Sequence, residues 1–406
     1  MSQNRKNLWI MFFTLVVMML GFGIIIPIMP TYITKLGATG STLGMLMATF
    51  SLMQFIFAPF WGSMSDRYGR KPIILVGILG NVVSQLMLGF ATELWMLFVA
   101  RTLSGILSSA ALPTAMAFAS DSTSPEERPA AMGLMGAGLS VGMVLGPGIG
   151  GLLAGGSLST PFFVAAGLSA IALLLVLLIL PESLPVERRS QTKGVRGPQI
   201  RQMWLALKTP MGFLFFLAFL LSFGLACFEG IFGLYALRRF DYGPQQVGSI
   251  MMVIGVVSAI GQGVLTGPAT RRFGEIPVIR VALLCTGIGF LLMLTASSFL
   301  TVLLTVGFFV LSNAMIGPSV SSLVSKQSSS GQGMAMGLNN AFMSLGRIVG
   351  PIWAGIALDF NLILPYLTGS MVMFTGFILS VLKLQPAPVP APVAEAPRVE
   401  PQPLSE

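Results

Sequence analysis

One carboxylate interrupts the apolar stretch Leu221 to Tyr235, LSFGLACFEGIFGLY. A charged acid at the centre of a bilayer costs several kcal/mol on insertion scales, so an acid kept there has a function by default. Burial favours the neutral form of a carboxyl group, and an arriving cation favours the charged form. Glu229 is therefore a candidate for exchanging a proton for a cation, and a structural hydrogen bond between helices is the alternative.

The composition surrounding this residue is that of a membrane protein. The 406 residues are 54% hydrophobic and 9% charged, and the mean hydropathy is +0.85. About 20 apolar residues cross the hydrocarbon core as a helix. Lipid offers no partners for open backbone groups, and the alternation of a barrel strand is missing. We therefore predict an all-α membrane protein with twelve spans, at 8–33, 43–64, 72–91, 95–117, 130–155, 161–180, 210–236, 246–266, 277–296, 300–323, 333–357 and 362–382.

The basic residues predict the orientation of these spans. The first run follows MSQNRKN and is too long for the apolar region of a signal peptide, so it is kept as span 1. With both termini in the cytoplasm, most Lys and Arg residues fall on cytoplasmic segments, as the positive-inside rule requires. Three lie outside, namely Lys35, Arg238 and Arg239, and three lie within or near spans, namely Arg101, Arg280 and Arg347.

Several function classes are excluded by residues that are scarce or missing. The net charge of +9 is explained by topology signals, so no nucleic-acid partner is expected. Cys227 and Cys285 lie in separate predicted spans and the chain has no His, which argues against a disulfide framework or a metal cluster. No nucleophile paired with a base and no phosphate-binding GxxxxGK[ST] loop occurs. We expect neither an enzyme nor a cofactor, and no ATP-driven step.

An internal repeat predicts two halves. Residues 131–151, AMGLMGAGLSVGMVLGPGIGG, align without a gap with residues 335–355, AMGLNNAFMSLGRIVGPIWAG. Parallel repeats of this kind place a ligand site between two halves of a transporter. The predicted domains are a six-helix bundle at 1–180, a charged cytoplasmic linker at 181–209, a second six-helix bundle at 210–383 and a disordered Pro/Ala-rich tail at 384–406.

Two motifs predict moving parts of such a molecule. Between spans 2 and 3 a short cytoplasmic loop has glycines suited to a tight turn and charges suited to a latch on a neighbouring helix end; its residues are Gly62, Asp66, Arg67, Gly69, Arg70 and Lys71. Along span 5, small residues recur so that two helix backbones can approach closely; they are Gly138, Gly142, Gly146, Pro147, Gly150 and Gly151. Topology anchoring and simple packing are the alternatives.

Taken together, these motifs resemble the major facilitator superfamily. GFGIIIPIMPTYI, GSMSDRYGRKP, Arg101 in RTLSG and GMVLGPGIGG are similar to its twelve-span drug:proton antiporters, and SFGLACFEGIF and RRFGEIPVIR resemble the bacterial multidrug and quinolone efflux pumps of that branch. The resemblance implies a monomer in the bacterial inner membrane that confers antibiotic resistance. It also implies alternating access driven by the proton gradient, with Glu229 in proton coupling and cation recognition and a functional role for Arg101.

The chain departs from these relatives at two positions. Where they carry Asp and Arg in a DxxRP pattern on span 10, this chain reads Ala314-Met-Ile-Gly317-Pro318. Arg347 occupies the middle of span 11, where those pumps tend to have Asn. Whether Arg347 pairs with Glu229 stays open at this point. Such a pair would favour the charged carboxylate, whereas burial favours the neutral carboxyl group.

Lipophilic and cationic drugs and dyes are the substrates that the resemblance implies, with protons and lipid as the other partners. Aromatic, amide and soft side chains near the predicted cleft suit an adaptable pocket. The candidates besides Glu229, Arg101 and Arg347 are Gln54, Phe223, Phe228, Phe232, Tyr235, Asn313, Asn339, Asn340, Phe342 and Met343. A carrier for one metabolite or sugar, suggested by PESLPVERR after span 6, and a non-transporting receptor are the alternatives.

Overall fold

The computed structural model describes residues 3–190, 197, 200–328 and 331–384. Over these ranges every regular element is a helix. Twelve helices are long and apolar enough to cross a membrane, and they correspond one to one to the predicted spans, whose numbers they keep. Their bounds are Asn4–Lys35, Gly40–Tyr68, Arg70–Phe90, Leu94–Asp121, Arg128–Leu153, Thr160–Ile179, Gly212–Phe240, Pro244–Phe273, Glu275–Met293, Phe299–Gln327, Gln332–Phe360 and Leu364–Lys383.

The predicted fold class is confirmed, but several helices run beyond their apolar cores. Span 2 stays helical to Tyr68 and span 8 to Phe273, past the ends read from hydrophobicity. Hydropathy reports only the part of a helix that lipid covers, whereas charged residues continue the helix into water. The predicted loop between spans 2 and 3 is consequently wrong in extent, because only Gly69 separates the two helices.

Two spans are irregular along their length. Span 4 contains a 3₁₀ turn at Ser108–Ala110, and span 8 contains a π-helical turn at Gly261–Leu265. Between spans 6 and 7 the described chain forms a short helix at Ile200–Leu207. The rest of the predicted linker around 191–199, apart from residue 197, and the predicted tail from 385 onwards lie outside the described residues.

Equivalent spans make equivalent contacts in the two halves. Span 1 packs on span 5 as span 7 packs on span 11, and span 3 packs on spans 4 and 6 as span 9 packs on spans 10 and 12. Between the halves, span 2 packs on span 11, span 5 on span 8, and span 1 on span 7. This pattern is that of two pseudo-symmetric six-helix bundles with a shared interface.

The two membrane faces of the molecule differ at that interface. We call the face with Asn4 and Lys383 the terminal face, and the opposite face, with Lys35 and Leu364, the distal face. Towards the distal face the halves touch: a Cβ atom added to Gly44 would lie 2.9 Å from the carbonyl carbon of Pro351.

Glycines on the terminal-face parts of the interface spans have no such neighbours. A Cβ atom would meet nothing within 4 Å at Gly62 on span 2, Gly133 and Gly136 on span 5, Gly263 on span 8, or Gly333 and Gly337 on span 11. The halves therefore close at the distal face and part towards the terminal face.

Candidate functional site

Glu229 lies on the face of span 7 that meets the first half. Gly233, one turn further along this face, approaches span 1, since a Cβ atom there would lie 2.7 Å from Pro30 Cγ. The neighbouring Gly230 approaches span 11, where a Cβ atom would lie 3.1 Å from Pro351 Cβ. Glu229 itself is half-buried. The carboxylate thus belongs to the cleft between the halves, one turn below the point where they close.

Arg347 occupies the corresponding place on span 11. Pro351, one turn further along, is the residue against which Gly44 of span 2 packs. Arg347 is nevertheless exposed, because the halves have separated at its level. Spans 7 and 11 pack closely at this level, where a Cβ atom on Gly350 would lie 3.2 Å from the backbone nitrogen of Cys227. No ion pair within 4.0 Å joins Arg347 and Glu229 among the described residues, so in this structure they do not form a salt bridge.

Arg101 is buried in the first half, on span 4 and beside residues of spans 1 and 2. Its guanidinium lies 4.6 Å from the ring centroid of Phe50 and 6.0 Å from that of Phe22. Nη2 approaches Met47 Sδ at 3.7 Å, while Nε and Nη1 have no hydrogen-bond partner in the structure. The cation is therefore held by two aromatic rings in place of a carboxylate.

Most of the predicted aromatic contacts pack inside the second half. Phe228 has its ring centroid 4.9 Å from that of Phe232 and 4.9 Å from that of Phe309. Tyr235 packs on Tyr366 at 4.4 Å and accepts a hydrogen bond from Arg239 Nη1 at 2.5 Å.

Two further rings on this list are also buried. Phe342 stacks on Phe215 at 5.7 Å, and Phe223 packs beside Phe219 at 5.9 Å. All five side chains are buried. They form a rigid wall behind Glu229 here, and their contact with a substrate stays a prediction.

The predicted amides divide between the packed core and the cleft. Asn339 is buried and donates from Nδ2 to Ser321 Oγ at 3.4 Å, which joins spans 11 and 10. Asn313 is also buried, and its Nδ2 has no hydrogen-bond partner in the structure. Asn340 is exposed on the face of span 11 that carries Arg347, and Gln54 and Met343 are half-buried. Of these five side chains, only the last three are accessible to solvent to a substantial extent.

The predicted latch ties together helix ends within the first half. Arg70 Nη1 donates to Asp66 Oδ1 at 2.5 Å, and Arg70 Nε donates to Asp121 Oδ2, at the end of span 4, at 2.9 Å. The Glu182 carboxylate accepts the backbone N–H groups of Arg70 at 2.8 Å and Lys71 at 3.2 Å. This carboxylate caps the start of span 3, where a helix has free N–H groups.

The turn of the latch depends on one glycine. Gly69 has a φ of 108°, a conformation that residues with a Cβ atom avoid. Arg67 is exposed, Gly62 lies in the last turns of span 2, and Lys71 Nζ donates to the carbonyl of Leu177 at 2.9 Å. None of these recorded contacts reaches the second half.

A second latch, missed in the sequence, occupies the equivalent place in the second half. Glu275, the first residue of span 9, forms an ion pair with Lys326 near the end of span 10 and accepts a hydrogen bond from Ser322 at 3.0 Å. Gly274, before it, has a φ of 83° and matches Gly69. The alignment of Gly274 with Gly69 is the sequence signal that could have revealed this site.

A third cluster joins the two halves at the distal face and was also missed. Asp359, at the end of span 11, accepts the backbone N–H groups of Gly40 and Ser41 at 2.7 Å each. It thereby caps span 2 of the opposite half. Arg238 Nη2 lies 3.6 Å from the same carboxylate. A sequence pattern shows an acid at a helix end but not which helix it caps.

The glycine stripe on span 5 serves two different contacts. A Cβ atom on Gly146 would lie 2.9 Å from Gly23 Cα, and one on Gly150 would lie 2.9 Å from Ile24 Cα. Gly138 and Gly142 likewise face span 1 of the same half. Gly151 alone of the predicted glycines faces the other half, 3.1 Å from Gly248 Cα by the same measure. Four of the five glycines thus bring span 5 close to span 1 within one half, since their spacing of four residues places them together on one side of the helix.

The chain is similar to a family of membrane carriers along its length. The family model of the Major Facilitator Superfamily matches residues 11–351 and 214–406. Multidrug resistance protein 1 of Bacillus subtilis (strain 168) is 35% identical over 95% of this chain and 98% of that protein. Quinolone resistance protein NorA of Staphylococcus aureus is 29% identical over 94% of this chain and 97% of that protein.

Solved structures share the fold at lower identity. The nucleoside transporter NupG superposes with a TM-score of 0.74 at 18% identity, over 94% of this chain and 98% of that chain. A bacterial homologue of the human lysosomal transporter Spinster, in an inward-facing and unoccupied conformation, superposes with a TM-score of 0.71 at 14% identity, over 94% of this chain and 95% of that chain.

Proposed function

The chain belongs to the Major Facilitator Superfamily, and we propose that it exports lipophilic drugs and dyes from a bacterial cell in exchange for protons. Twelve spanning helices and the bacterial relatives make it a multi-pass bacterial membrane protein. The relatives are named for resistance to several drugs and to quinolones. We assign the chain to the inner membrane, with the terminal face towards the cytoplasm.

The observation that carries the proposal is the position of Glu229. It is the acid that faces the membrane-embedded cleft among the described residues, one turn below the closed distal contact. A carboxylate at such a place is reached by solvent from only one side at a time. A proton and the cationic group of a substrate compete for it, so the binding of either one favours release of the other.

The transport cycle then follows from the open cleft and from the Asp359 cap at the distal face. In the present structure the cleft opens to the terminal face, where a substrate from the cytoplasm or inner leaflet displaces the proton from Glu229. Rocking of the halves breaks the Asp359 cap on span 2 and opens the distal face. Protonation from outside then releases the substrate and returns the carrier.

No cofactor is required, because the proton gradient supplies the free energy. Each pH unit across the membrane is worth about 1.4 kcal/mol per proton. The proposal assigns no catalysed bond change to the chain, and it takes the protein to act as a monomer on small molecules.

A dye-efflux assay tests this function. Cells that express the wild-type chain should export several unrelated dyes, and a proton uncoupler should abolish export. Glu229→Gln keeps the size of the side chain and removes its titration, so we expect proton-driven export to fall to the background of cells without the protein. Glu93→Gln, an exposed acid before span 4, is the matched control and should export normally. Undiminished export by Glu229→Gln at equal expression would contradict the proposal and favour a structural role.

A further inference from the structure

Arginines in the spans differ in their hydrogen-bond acceptors. Two that lie near span ends donate to backbone carbonyls, Arg239 to Leu294 O at 2.6 Å and Arg280 to Leu384 O at 2.6 Å. Arg347 and Arg101 have no such acceptors in the described structure. Of these two, Arg347 shares the cleft with Glu229, and Arg101 is buried within the first half.

Arg347 points into the cleft and not towards lipid. Gly346 and Gly350, on either side of it, face span 7, where Cβ atoms would lie 2.6 Å and 2.7 Å from the backbone oxygens of Phe219 and Phe223. Gly355, two turns beyond, faces span 2 of the opposite half, where a Cβ atom would lie 2.9 Å from the carbonyl carbon of Gly40. The exposed guanidinium between these two contacts is therefore directed at the space between the halves.

Arg101 adds a second positive charge from the first half. It is 1% exposed, and two of its three guanidinium nitrogens lack acceptors. Aromatic rings compensate only part of the desolvation of a buried cation. The acceptor whose geometry matches a guanidinium is a carboxylate, which takes two parallel hydrogen bonds.

A simple cation is a poor match for this arrangement. Ala314, buried in span 10, provides no second acid there, so a cation that binds Glu229 also meets the positive charge of Arg347 across a medium of low dielectric constant. A molecule with both an amine and a carboxylate satisfies Glu229 and Arg347 together.

We propose that the cleft selects zwitterionic amphiphiles, with Arg347 binding the carboxylate of the substrate and Glu229 its cationic group. Arg101 contributes the surrounding positive potential. This inference rests on the proposed function and names the substrate class of the same site. Arg347 is then the residue that determines specificity, and loss of its charge should shift preference towards plain cations.

Two dyes that differ only in this group test the proposal. Rhodamine 110 carries a free carboxylate, and rhodamine 123 is its cationic methyl ester. Binding of each dye to the purified full chain is measured by fluorescence anisotropy. For Arg347→Asn we expect rhodamine 110 to bind about tenfold more weakly, equivalent to about 1.4 kcal/mol, and rhodamine 123 to bind within about twofold of wild type or more tightly. Arg271→Asn, which removes an exposed arginine at the terminal face, should change neither affinity.

The outcomes separate this inference from the function on which it rests. Equal weakening of both dyes by Arg347→Asn would overturn the proposal, because it would indicate damage to the site and not loss of a carboxylate contact. Unchanged binding of both dyes would also overturn it. Export of rhodamine 123 but not rhodamine 110 by wild-type cells would overturn the inference and leave drug export intact. Export of neither dye, nor of any other, would overturn the proposed function itself.

Discussion

Glu275 and Lys326 form an ion pair that repeats, with the charges exchanged, the pair of Arg70 and Asp121 in the first half. The two pairs are related by the same sequence spacing that relates Gly274 to Gly69. Both pairs join the start of one span to the end of the next at the terminal face. The duplicated halves thus have an ion pair at equivalent positions, but the acidic and the basic residue of the pair have changed places.

Exchange of the two charges within the second pair should restore what either single change removes. Glu275→Lys places two cations together and should lower the Tm of the purified protein, and the double variant with Lys326→Glu should recover part of the loss. Recovery stays incomplete because an acid at the first residue of a helix is favoured by about 0.3–1 kcal/mol. Thermal unfolding in detergent measures the effect, with Lys326→Gln as the control. Strictly additive changes would show that the pair is not coupled.

The Asp359 cap should hold the distal face closed. Asp359→Ala leaves the N–H groups of Gly40 and Ser41 without their acceptor, a loss of about 0.5–2 kcal/mol for a helix cap, and shifts the population towards an open distal face. Spin labels at Ala38 and Asn361 report the separation of the two halves, and we expect a longer distance to gain population.

Asp241 provides a matched control for that experiment. It is an exposed acid at the distal end of span 7 with a φ of 57°, which Asn tolerates, so Asp241→Asn removes a charge without removing a contact between the halves. Its distance distribution should equal that of the wild type. A wild-type distribution in Asp359→Ala as well would rule out the cap as a gate.

Close backbone approach at the distal face predicts a steric test. A methyl group in Gly44→Ala would lie 2.9 Å from the carbonyl carbon of Pro351, so the halves could not seal. We expect loss of dye export at normal expression, with the distal face trapped open. Gly167→Ala, on span 6, adds the same methyl group where nothing lies within 4 Å and should export normally. Full export by Gly44→Ala would contradict this prediction, because it would mean that span 2 can shift away from Pro351 and still close the distal face.

The sequence predicts the twelve spans and draws attention to Glu229 because both follow from local composition. An apolar run of sufficient length has one stable form in lipid, and a lone acid within it is visible without any structure. The interaction partners of a charged residue do not follow from local composition. Asp359 caps a helix more than 300 residues away in sequence, and no periodicity links the two.

The aromatic residues of span 7 show the same limit. Phe228, Phe232 and Tyr235 lie near Glu229 in sequence, yet a helix turns successive residues by about 100° and directs these rings into the second half. The glycines of span 5 divide between span 1 and span 8 for the same reason. Spacing identified a close contact, and only the packed structure identifies its partner.

The source of free energy should differ between the two matched dyes. Exchange of one proton for one monovalent cation moves no net charge, so export of rhodamine 123 should follow the pH gradient alone. Exchange of one proton for the zwitterion rhodamine 110 moves one charge, and a potential of 100 mV then adds about 2.3 kcal/mol. In proteoliposomes with equal pH on both sides, a potassium diffusion potential should drive rhodamine 110 uphill and leave rhodamine 123 at equilibrium. Uphill movement of rhodamine 123 under voltage alone would contradict a one-for-one exchange at Glu229.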